Sequence, residues 1–186
     1  MPSLINFLPE KSIDNCIEIY EKSAVLLTKN NDFPVVSIGH GACSGYVFIS
    51  TSTTIEQVLI MHSSMGLFDY GNIKDNPNQI ECLQAFIEQN KERSIFLLPI
   101  GRTTTAFNIF ENHALGIAKR ANKEIFVLDA VRFDSKAGWH FLIDVQKDVL
   151  ALQIGGCEYA ENSHLEVYSL EGVLAERVQA LRSKKR

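Results

Sequence analysis

Glycine spacing within residues 35–62 constrains the fold of this chain more than any other feature of its sequence. Two apolar, β-branched runs, Val35–Ile38 and Tyr46–Ile49, flank a segment with three glycines in seven residues. Glycine permits a sharp reversal of the backbone, so the two runs are predicted to be strands joined by a glycine turn. A third apolar run, Val58–Met61, ends on a histidine. The pattern therefore predicts three strands, with Cys43 in the turn between the first two.

Cys43 and His62 form a candidate catalytic pair in this pattern. A thiol with an ordinary pKa of about 8.5 is mostly protonated at neutral pH, whereas a neighbouring imidazole can take its proton and leave a nucleophilic thiolate. The alternative interpretation is structural: Cys43 packs as a small core side chain, and His62 is a hydrogen-bonded strand end. Only the catalytic interpretation requires the two side chains to be neighbours.

Composition limits the classes of function. The chain has 186 residues, of which 46% are hydrophobic, and a formal net charge of -4. This length predicts a single domain over residues 14–186, preceded by a flexible arm at residues 1–13. The mildly acidic balance disfavours nucleic acid as a partner, and no apolar run is long enough to predict insertion into a membrane.

The cysteines and the N-terminus bear on cofactors and location. The four cysteines, at positions 16, 43, 82 and 157, form no CxxC pair and no cluster of metal ligands, so neither a metal nor another cofactor is predicted. Reduced thiols are typical of the cytosol, and the first residues lack the features of a secretory signal. The sequence therefore predicts a cytoplasmic protein, or one secreted into a host cell without a readable signal peptide.

Apolar periodicity predicts an α+β fold. Helical spacing of apolar residues is found in three segments, and shorter alternating or β-branched runs predict the strands. The strands cluster toward both ends of the chain, which favours a largely antiparallel sheet system with helices packed outside. The predicted helices cover residues 76–93, 105–122 and 173–181, and the predicted strands cover 16–20, 24–28, 35–38, 46–49, 58–61, 94–100, 124–130, 139–143, 149–152 and 165–168.

A phosphate-binding loop is a weak interpretation of the glycine segment. The GxGxxG spacing that starts at Gly39 has Ser44 where the third glycine belongs, and the next glycine comes one residue too late. The residues that follow favour a strand, whereas a phosphate-binding loop leads into a helix. The segment therefore does not predict nucleotide binding.

A nucleophile elbow is a second alternative. Gly41-x-Cys43-x-Gly45 fits the elbow of cysteine hydrolases and class I glutamine amidotransferases, and His164-x-Glu166 is able to complete a triad. The elbow needs a helix after the nucleophile, however, and the residues after Cys43 are rich in strand formers. The sequence thus favours a different use of the thiol.

The sequence Ser37-Ile38-Gly39-His40-Gly41-Ala42-Cys43 resembles the Thr-x-Gly-x-Gly-x-Cys motif of the CheD family of chemoreceptor glutamine deamidases, with Ser in place of Thr. In that family a strand follows the cysteine, and a histidine ends the next strand. His62 follows Cys43 by 19 residues, close to the family spacing though slightly longer. Through the CheD fold, the chain is also similar to the deamidating domain of cytotoxic necrotizing factor toxins, although it lacks the Leu-Ser-Gly-Cys of some of them.

The similarity extends to the order of the elements over about residues 15–153. It includes an Ile100-Gly101-Arg102 turn before the second helix, which resembles the Ile-Gly-x-Arg turn of CheD chains. It implies a fold of mainly antiparallel, β-sandwich-like sheets with helices packed outside. The chain departs from the family in its first residues and after about Gly155.

The resemblance implies a role for each residue of the glycine segment. Cys43 would attack the side-chain amide of a substrate glutamine, and His62 would protonate the departing ammonia and then activate water. Ser37 would accept a hydrogen bond from the imidazole and fix its orientation. The further site residues, expected to bind the oxyanion through backbone N–H groups or to lie beside it, are Gly41, Ala42, Ser44 and His40.

The predicted function is a cysteine-dependent protein glutamine deamidase, a hydrolase that converts Gln to Glu and ammonia without a cofactor. The substrate is expected to be another protein with a reactive glutamine, either a chemoreceptor of a bacterial chemotaxis system or a host regulatory protein attacked by an effector. The divergent ends of the chain favour the effector. Transglutamination through the same thioester, and a non-catalytic protein-binding module on the same fold, stay open as alternatives.

Overall fold

The computed structural model describes residues 16–20, 22–28, 30, 33–40, 43–63, 77–102, 107–134, 138–155 and 164–184, with the backbone alone for residues 38–40. Several sequence predictions lie outside the described residues. They concern the flexible arm at residues 1–13, the oxyanion donors Gly41 and Ala42, the side chain of His40, and Cys157.

Strands alternate with helices only in the middle of the chain, as the sequence predicts. The helices are α1 (Pro77–Gln89), α2 (Asn108–Arg120) and α3 (Leu170–Lys184). The strands are β1 (Ile17–Ile19), β2 (Ala24–Thr28), β3 (Val35–His40), β4 (Ser44–Thr51), β5 (Ile55–Ser63), β6 (Ser94–Arg102), β7 (Phe126–Val127), β8 (Val131–Phe133), β9 (Trp139–Asp144), β10 (Val149–Ile154) and β11 (His164–Ser169).

The described strands form two sheets. The first sheet has the strand order β1-β3-β9-β10-β11, and the second has the order β2-β5-β4-β6-β7, with β8 also paired to β6. Pairing in the first sheet is antiparallel except between β1 and β3, and pairing in the second is antiparallel except where β7 and β8 join β6. Short connections such as those from β4 to β5 and from β9 to β10 produce antiparallel neighbours, because a tight turn reverses the chain.

The main core lies between the two sheets. Val35 of β3 and Phe141 of β9 point inward from the first sheet, and they join the same apolar cluster as Val47, Ile60 and Leu98 of the second. Successive residues of a strand point to opposite faces, so the alternate residues of each strand leave this core and face outward. Two packed, mostly antiparallel sheets with helices outside confirm the predicted α+β fold.

α1 and α2 cover the outer face of the second sheet. Phe110 of α2 is buried in a second apolar cluster with Tyr46 and Phe48 of β4, and the Phe110 and Tyr46 rings stack with their centroids 3.6 Å apart. α3 follows β11 directly and buries Leu170 and Leu174 against the core between the sheets. Within the described ranges, no helix has the length and apolar character needed to cross a bilayer.

Two local predictions are wrong. The sequence predicts one strand over residues 124–130, but β7 is only Phe126–Val127 and pairs parallel with β6, and a separate strand starts at Val131. The sequence also predicts a helix from residue 105, but α2 begins at Asn108 and its N-cap is Phe107, whose side chain has no polar atom that could accept a capping hydrogen bond.

Candidate active site at one end of the sandwich

β3 and β4 lead into and out of the segment that carries Cys43. β3 includes Gly39 and extends to His40, whereas β4 starts at Ser44 and includes Gly45. The sequence predicts a glycine turn over residues 39–45, but two of its glycines belong to strands. Cys43 therefore lies directly before a strand, and its position relative to the neighbouring strands follows from their register.

The register of β4 and β5 relates Cys43 to His62. His62 pairs directly with Gly45, and Cys43 comes two residues before Gly45, one residue before β4 begins. Residues two apart in a strand share a face, and diagonal neighbours on adjacent antiparallel strands lie about 7–8 Å apart at their Cα atoms. The ladder ends at Ser44 and Ser63, and continuing it by one residue would make Cys43 a diagonal neighbour of His62.

His62 faces the inner side of the second sheet. Val47, two residues after Gly45, and Ile60, two residues before His62, both belong to the core between the sheets. Met61, the residue beside His62, instead belongs to the cluster under the helices. His62 therefore projects toward the first sheet, at the end of the sandwich where β4 begins directly after Cys43.

Ser37 reaches the same end of the sandwich from the first sheet. It lies two residues after Val35 of the inner core, and its partner on β9 is Phe141, another inner residue. A Cβ atom placed on Gly45 would lie 2.5 Å from Cε1 and 2.9 Å from Cζ of Phe141. Phe141, the strand partner of Ser37, therefore reaches across to Gly45, the strand partner of His62. This contact places Ser37 opposite the end of the second sheet that carries His62.

Exposure differs between the members of this group. Ser37 is 0% exposed and His62 is 1% exposed, whereas Cys43 is only half-buried. Ser44, one of the expected oxyanion donors, has a fully buried side chain on the opposite face from Cys43. A solvent-accessible thiol beside an enclosed imidazole is the arrangement that a cysteine nucleophile with a fixed base requires.

The backbone of His62 is held on both edges of β5. His62 pairs with Gly45 on one side, and on the other its N–H donates to Ser23 O at 3.1 Å while its carbonyl accepts from Lys22 N–H at 2.8 Å. The side chain of Gln79 on α1 adds two more bonds, because its Nε2 donates to His62 O at 3.0 Å and to Ser23 O at 3.1 Å. Gln79 is 2% exposed, so this amide ties α1 to the strand end that carries the imidazole.

Sequence reasoning assigns no role to Gln79 or to Arg102. Arg102 ends β6, two residues after the inner residue Ile100, and it pairs with Phe133 of β8, which also belongs to the inner core. The Arg102 side chain therefore shares the face of His62. The sequence feature that marks Arg102 is its spacing, because it is a charged residue that continues the alternate apolar positions of a strand. This spacing is recognised only once the strand is known to extend beyond Ile100.

A cavity of about 690 Å³ lies on the other side of the second sheet. It is lined by residues of α2 and of the segment from β7 to β8, including Phe107, Glu111, Asp129 and Arg132. The Arg132 guanidinium lies 4.7 Å from the centre of the Phe107 ring. Burial raises the pKa of the Glu111 carboxyl, and the charge of Arg132 opposes that rise. This cavity is separated from Cys43 by the sheet itself.

The nucleophile elbow is contradicted by the structure. Cys43 is followed by the strand β4, whereas an elbow nucleophile leads into a helix. His164 Nε2 lies 3.3 Å from Glu166 Oε1 on β11, the edge strand of the first sheet. Glu166 is level with Phe141 but two strands away, about 10 Å at the usual strand spacing, so the pair does not complete a triad with Cys43.

Other ionisable side chains have environments of their own. The Asp129 carboxylate is bound by Lys184 of α3 at 2.8 Å. Burial raises the pKa of the Cys16 and Cys82 thiols, and nearby glutamates add to the effect. Burial also lowers the pKa of His140, which projects from the outer face of the first sheet. These environments are consistent with structural roles.

Comparison with known proteins gives little guidance. No protein-family model matches the chain, and no curated protein matches it. Among solved structures, the C-terminal domain of CNFy from Yersinia pseudotuberculosis is similar to 81% of the chain with a TM-score of 0.29 and 9% sequence identity. The similarity spans 61% of that domain. A TM-score this low does not establish a common fold, so the resemblance to the CheD family stays a prediction and function has to be argued from the residues.

Proposed function

We propose that this protein is a cysteine-dependent protein glutamine deamidase that uses Cys43 as nucleophile and His62 as acid and base. The observation that carries the proposal is the strand register: His62 pairs with Gly45, which lies two residues after Cys43, although 19 residues separate Cys43 from His62 in the sequence. A continuation of that register supports a position for the thiol diagonal to the imidazole. Ser37 lies opposite them on the facing sheet. The half-buried Cys43 gives a substrate amide access to the sulfur, and the buried His62 is held in place by its backbone bonds.

The reaction follows from this pair in two stages. The Cys43 thiolate attacks the carbon of the glutamine side-chain amide, His62 gives its proton to the nitrogen, and the C–N bond breaks to release ammonia and leave a thioester. The neutral His62 then takes a proton from water, whose oxygen attacks the thioester carbon. The C–S bond breaks, glutamate is released, and the thiolate–imidazolium pair is restored. Backbone N–H groups around the thiol bind the oxyanion at each stage.

The substrate is another protein with an accessible glutamine side chain. Cys43 is half-buried directly before β4, so a glutamine on an exposed loop of a partner protein is the kind of side chain that can reach the sulfur. A bacterial effector that modifies a host regulatory protein, and a deamidase of chemoreceptors, share this chemistry. The reaction consumes only water, so no cofactor enters it.

Mass analysis of glutamine-bearing proteins tests the proposal. The expected product carries the mass difference between an acid and an amide for each modified glutamine, together with released ammonia. Cys43→Ala and His62→Ala are expected to abolish the conversion, while Cys82→Ala, which removes another half-buried thiol, is the matched control and keeps it. Conversion by the Cys43→Ala protein would rule out the mechanism. A product linked to an added amine instead of water would assign transglutamination to the same thioester.

The burial of His62 and Ser37 favours a second candidate, a non-catalytic protein-binding module. In that case Cys43 is an ordinary thiol. Alkylation by iodoacetamide at about pH 6 separates the two candidates, because a catalytic thiolate reacts faster than Cys16 and Cys82, whose pKa values are raised by burial. Equal labelling of the three thiols would favour the binding module.

A further inference from the structure

Arg102 occupies a specific place beside the candidate nucleophile. The last residues paired between β4 and β6 are Gly45 and Ile100. Two further residues from each, in opposite directions along the chain, lead to Cys43 and to Arg102, so a continuation of this register past its last pair would set these two opposite each other. Directly opposite residues of antiparallel strands have Cβ atoms about 4.5–5.5 Å apart.

β4 thus has a different ionisable neighbour on each side of Cys43. His62 lies on β5, on one side, and Arg102 lies on β6, on the other. His62 and Arg102 face the inner side of the sheet, as shown by the inner-core positions of Ile60, Ile100 and Phe133, and Cys43 would share that face where the register of β4 continues. Arg102 is half-buried, so water screens its charge less than it screens a surface arginine.

We propose that Arg102 is a positioning residue that stabilises the ionised form of Cys43. This inference rests on the proposed function, since it takes Cys43 as the nucleophile. A guanidinium stays charged throughout the accessible pH range, whereas His62 gains and loses a proton during the reaction. Arg102 therefore supplies a constant positive charge that favours the Cys43 thiolate in the resting enzyme, in addition to the charge of the His62 imidazolium.

At the end of the sandwich that carries Cys43, the other charged side chains of the described residues point away from the inner side of the sheet. Arg132 precedes Phe133 on β8 and lies over Phe107, on the helix side of the second sheet. Glu111 of α2 faces the same helix-side cavity. From the first sheet, His140 projects from the outer face. The described groups that face Cys43 across the inner side are thus His62 and Arg102.

The pH dependence of Cys43 alkylation tests the inference without any glutamine substrate. Arg102→Gln is expected to raise the midpoint of the alkylation profile by about half to one pH unit, because the charge is close but partly screened. At pH values below the midpoint, this shift slows alkylation about 3- to 10-fold, since the thiolate fraction changes tenfold per pH unit. Arg102→Lys keeps the positive charge and is expected to keep most of the wild-type midpoint.

Arg132→Gln is the matched control. It removes the same charge from the adjacent strand but on the opposite face, and it is expected to leave the midpoint unchanged. Arg102→Met, which retains an apolar stem of similar length, replaces Arg102→Gln if the latter does not fold by circular dichroism. A wild-type midpoint in the neutral Arg102 variant, or an equal shift in Arg132→Gln, would overturn the inference.

The outcome also separates this inference from the proposed function. A shifted midpoint in a protein that converts no glutamine would retain the role of Arg102 and remove the deamidase. If the protein converts glutamine but the alkylation midpoint of Cys43 does not depend on Arg102, the deamidase is retained and the role of Arg102 is removed.

Discussion

Alanine at position 45 is expected to destabilise the protein by forcing the two sheets apart at the candidate site. The added methyl group would lie 2.5 Å from Cε1 and 2.9 Å from Cζ of Phe141, well inside van der Waals contact. The backbone of Gly45 cannot move away, because it pairs with His62 on one side and Ile100 on the other. The Phe141 ring is fully buried and stacks on Trp139 with centroids 5.9 Å apart, so it has no free space to enter.

The size of the effect follows from overpacking. Inserting a methyl group into a packed core costs about 1–3 kcal/mol, which lowers the melting temperature of a domain of this size by roughly 2–12 °C. Gly45 has no positive φ, so the cost arises from the contact with Phe141 and not from the backbone conformation. Thermal and urea unfolding followed by circular dichroism measure the loss.

A double-mutant cycle isolates the contact. Phe141→Leu shortens the side chain facing Gly45, and the double variant Gly45→Ala/Phe141→Leu is expected to be more stable than the sum of the single effects predicts. Gly116→Ala is the control, because its added methyl group would meet only Arg120 Nη1 at 3.8 Å on α2. That variant should gain up to about 1 kcal/mol from helix propensity. A Gly45→Ala protein as stable as wild type, or strictly additive losses in the cycle, would refute the packing argument.

Two further predictions concern the surroundings of the site. Gln79→Leu removes both hydrogen bonds that tie α1 to His62 O and Ser23 O, and it leaves a buried apolar group beside two carbonyls. The substitution is expected to lower the free energy of unfolding in urea by about 2–4 kcal/mol and to change the His62 imidazole signals in NMR spectra. Unchanged spectra would show that Gln79 only stabilises the fold. Burial lowers the pKa of His140, so the unfolded chain binds a proton that the native state excludes, and stability should fall as the pH drops below about 6.5. His140→Gln should reduce this slope in melting experiments, and an equal slope in both proteins would contradict that reasoning.

Strand positions were largely predictable because they depend on local patterns. Ala24–Thr28 is a strand both in the prediction and in the structure, since an apolar β-branched run followed by a polar turn needs no distant partner to be recognised. The segment at 124–130 fails for the opposite reason. Its residues are apolar enough for a strand, but only Phe126 and Val127 pair with β6, and Asp129 forms an ion pair with Lys184 of α3. Local strand propensity does not predict these contacts with distant segments.

The site divides in the same way. Cys43 and His62 are candidates from the sequence because a thiol in a glycine segment and a histidine at a strand end are visible in the chain itself, and their catalytic role stays a prediction. Arg102 and Gln79 are not such candidates, because their relation to the pair exists only through the register of β4 with β6 and through the docking of α1. Both depend on contacts between segments far apart in the sequence, which no periodicity of one segment encodes.

The candidate site is held together at two levels of different strength. Within the second sheet, hydrogen-bonded pairing of β4 with β5 fixes His62 opposite Gly45, two residues from Cys43, and a slip by one residue would move His62 to the helix side. Ser37 belongs to the other sheet, and no hydrogen-bonded ladder joins the two sheets among the described strands. Its place opposite the pair depends on how closely Phe141 packs against Gly45. Packing between the sheets therefore decides whether Ser37 can orient the imidazole, whereas the pairing within one sheet decides whether the thiol has a base at all.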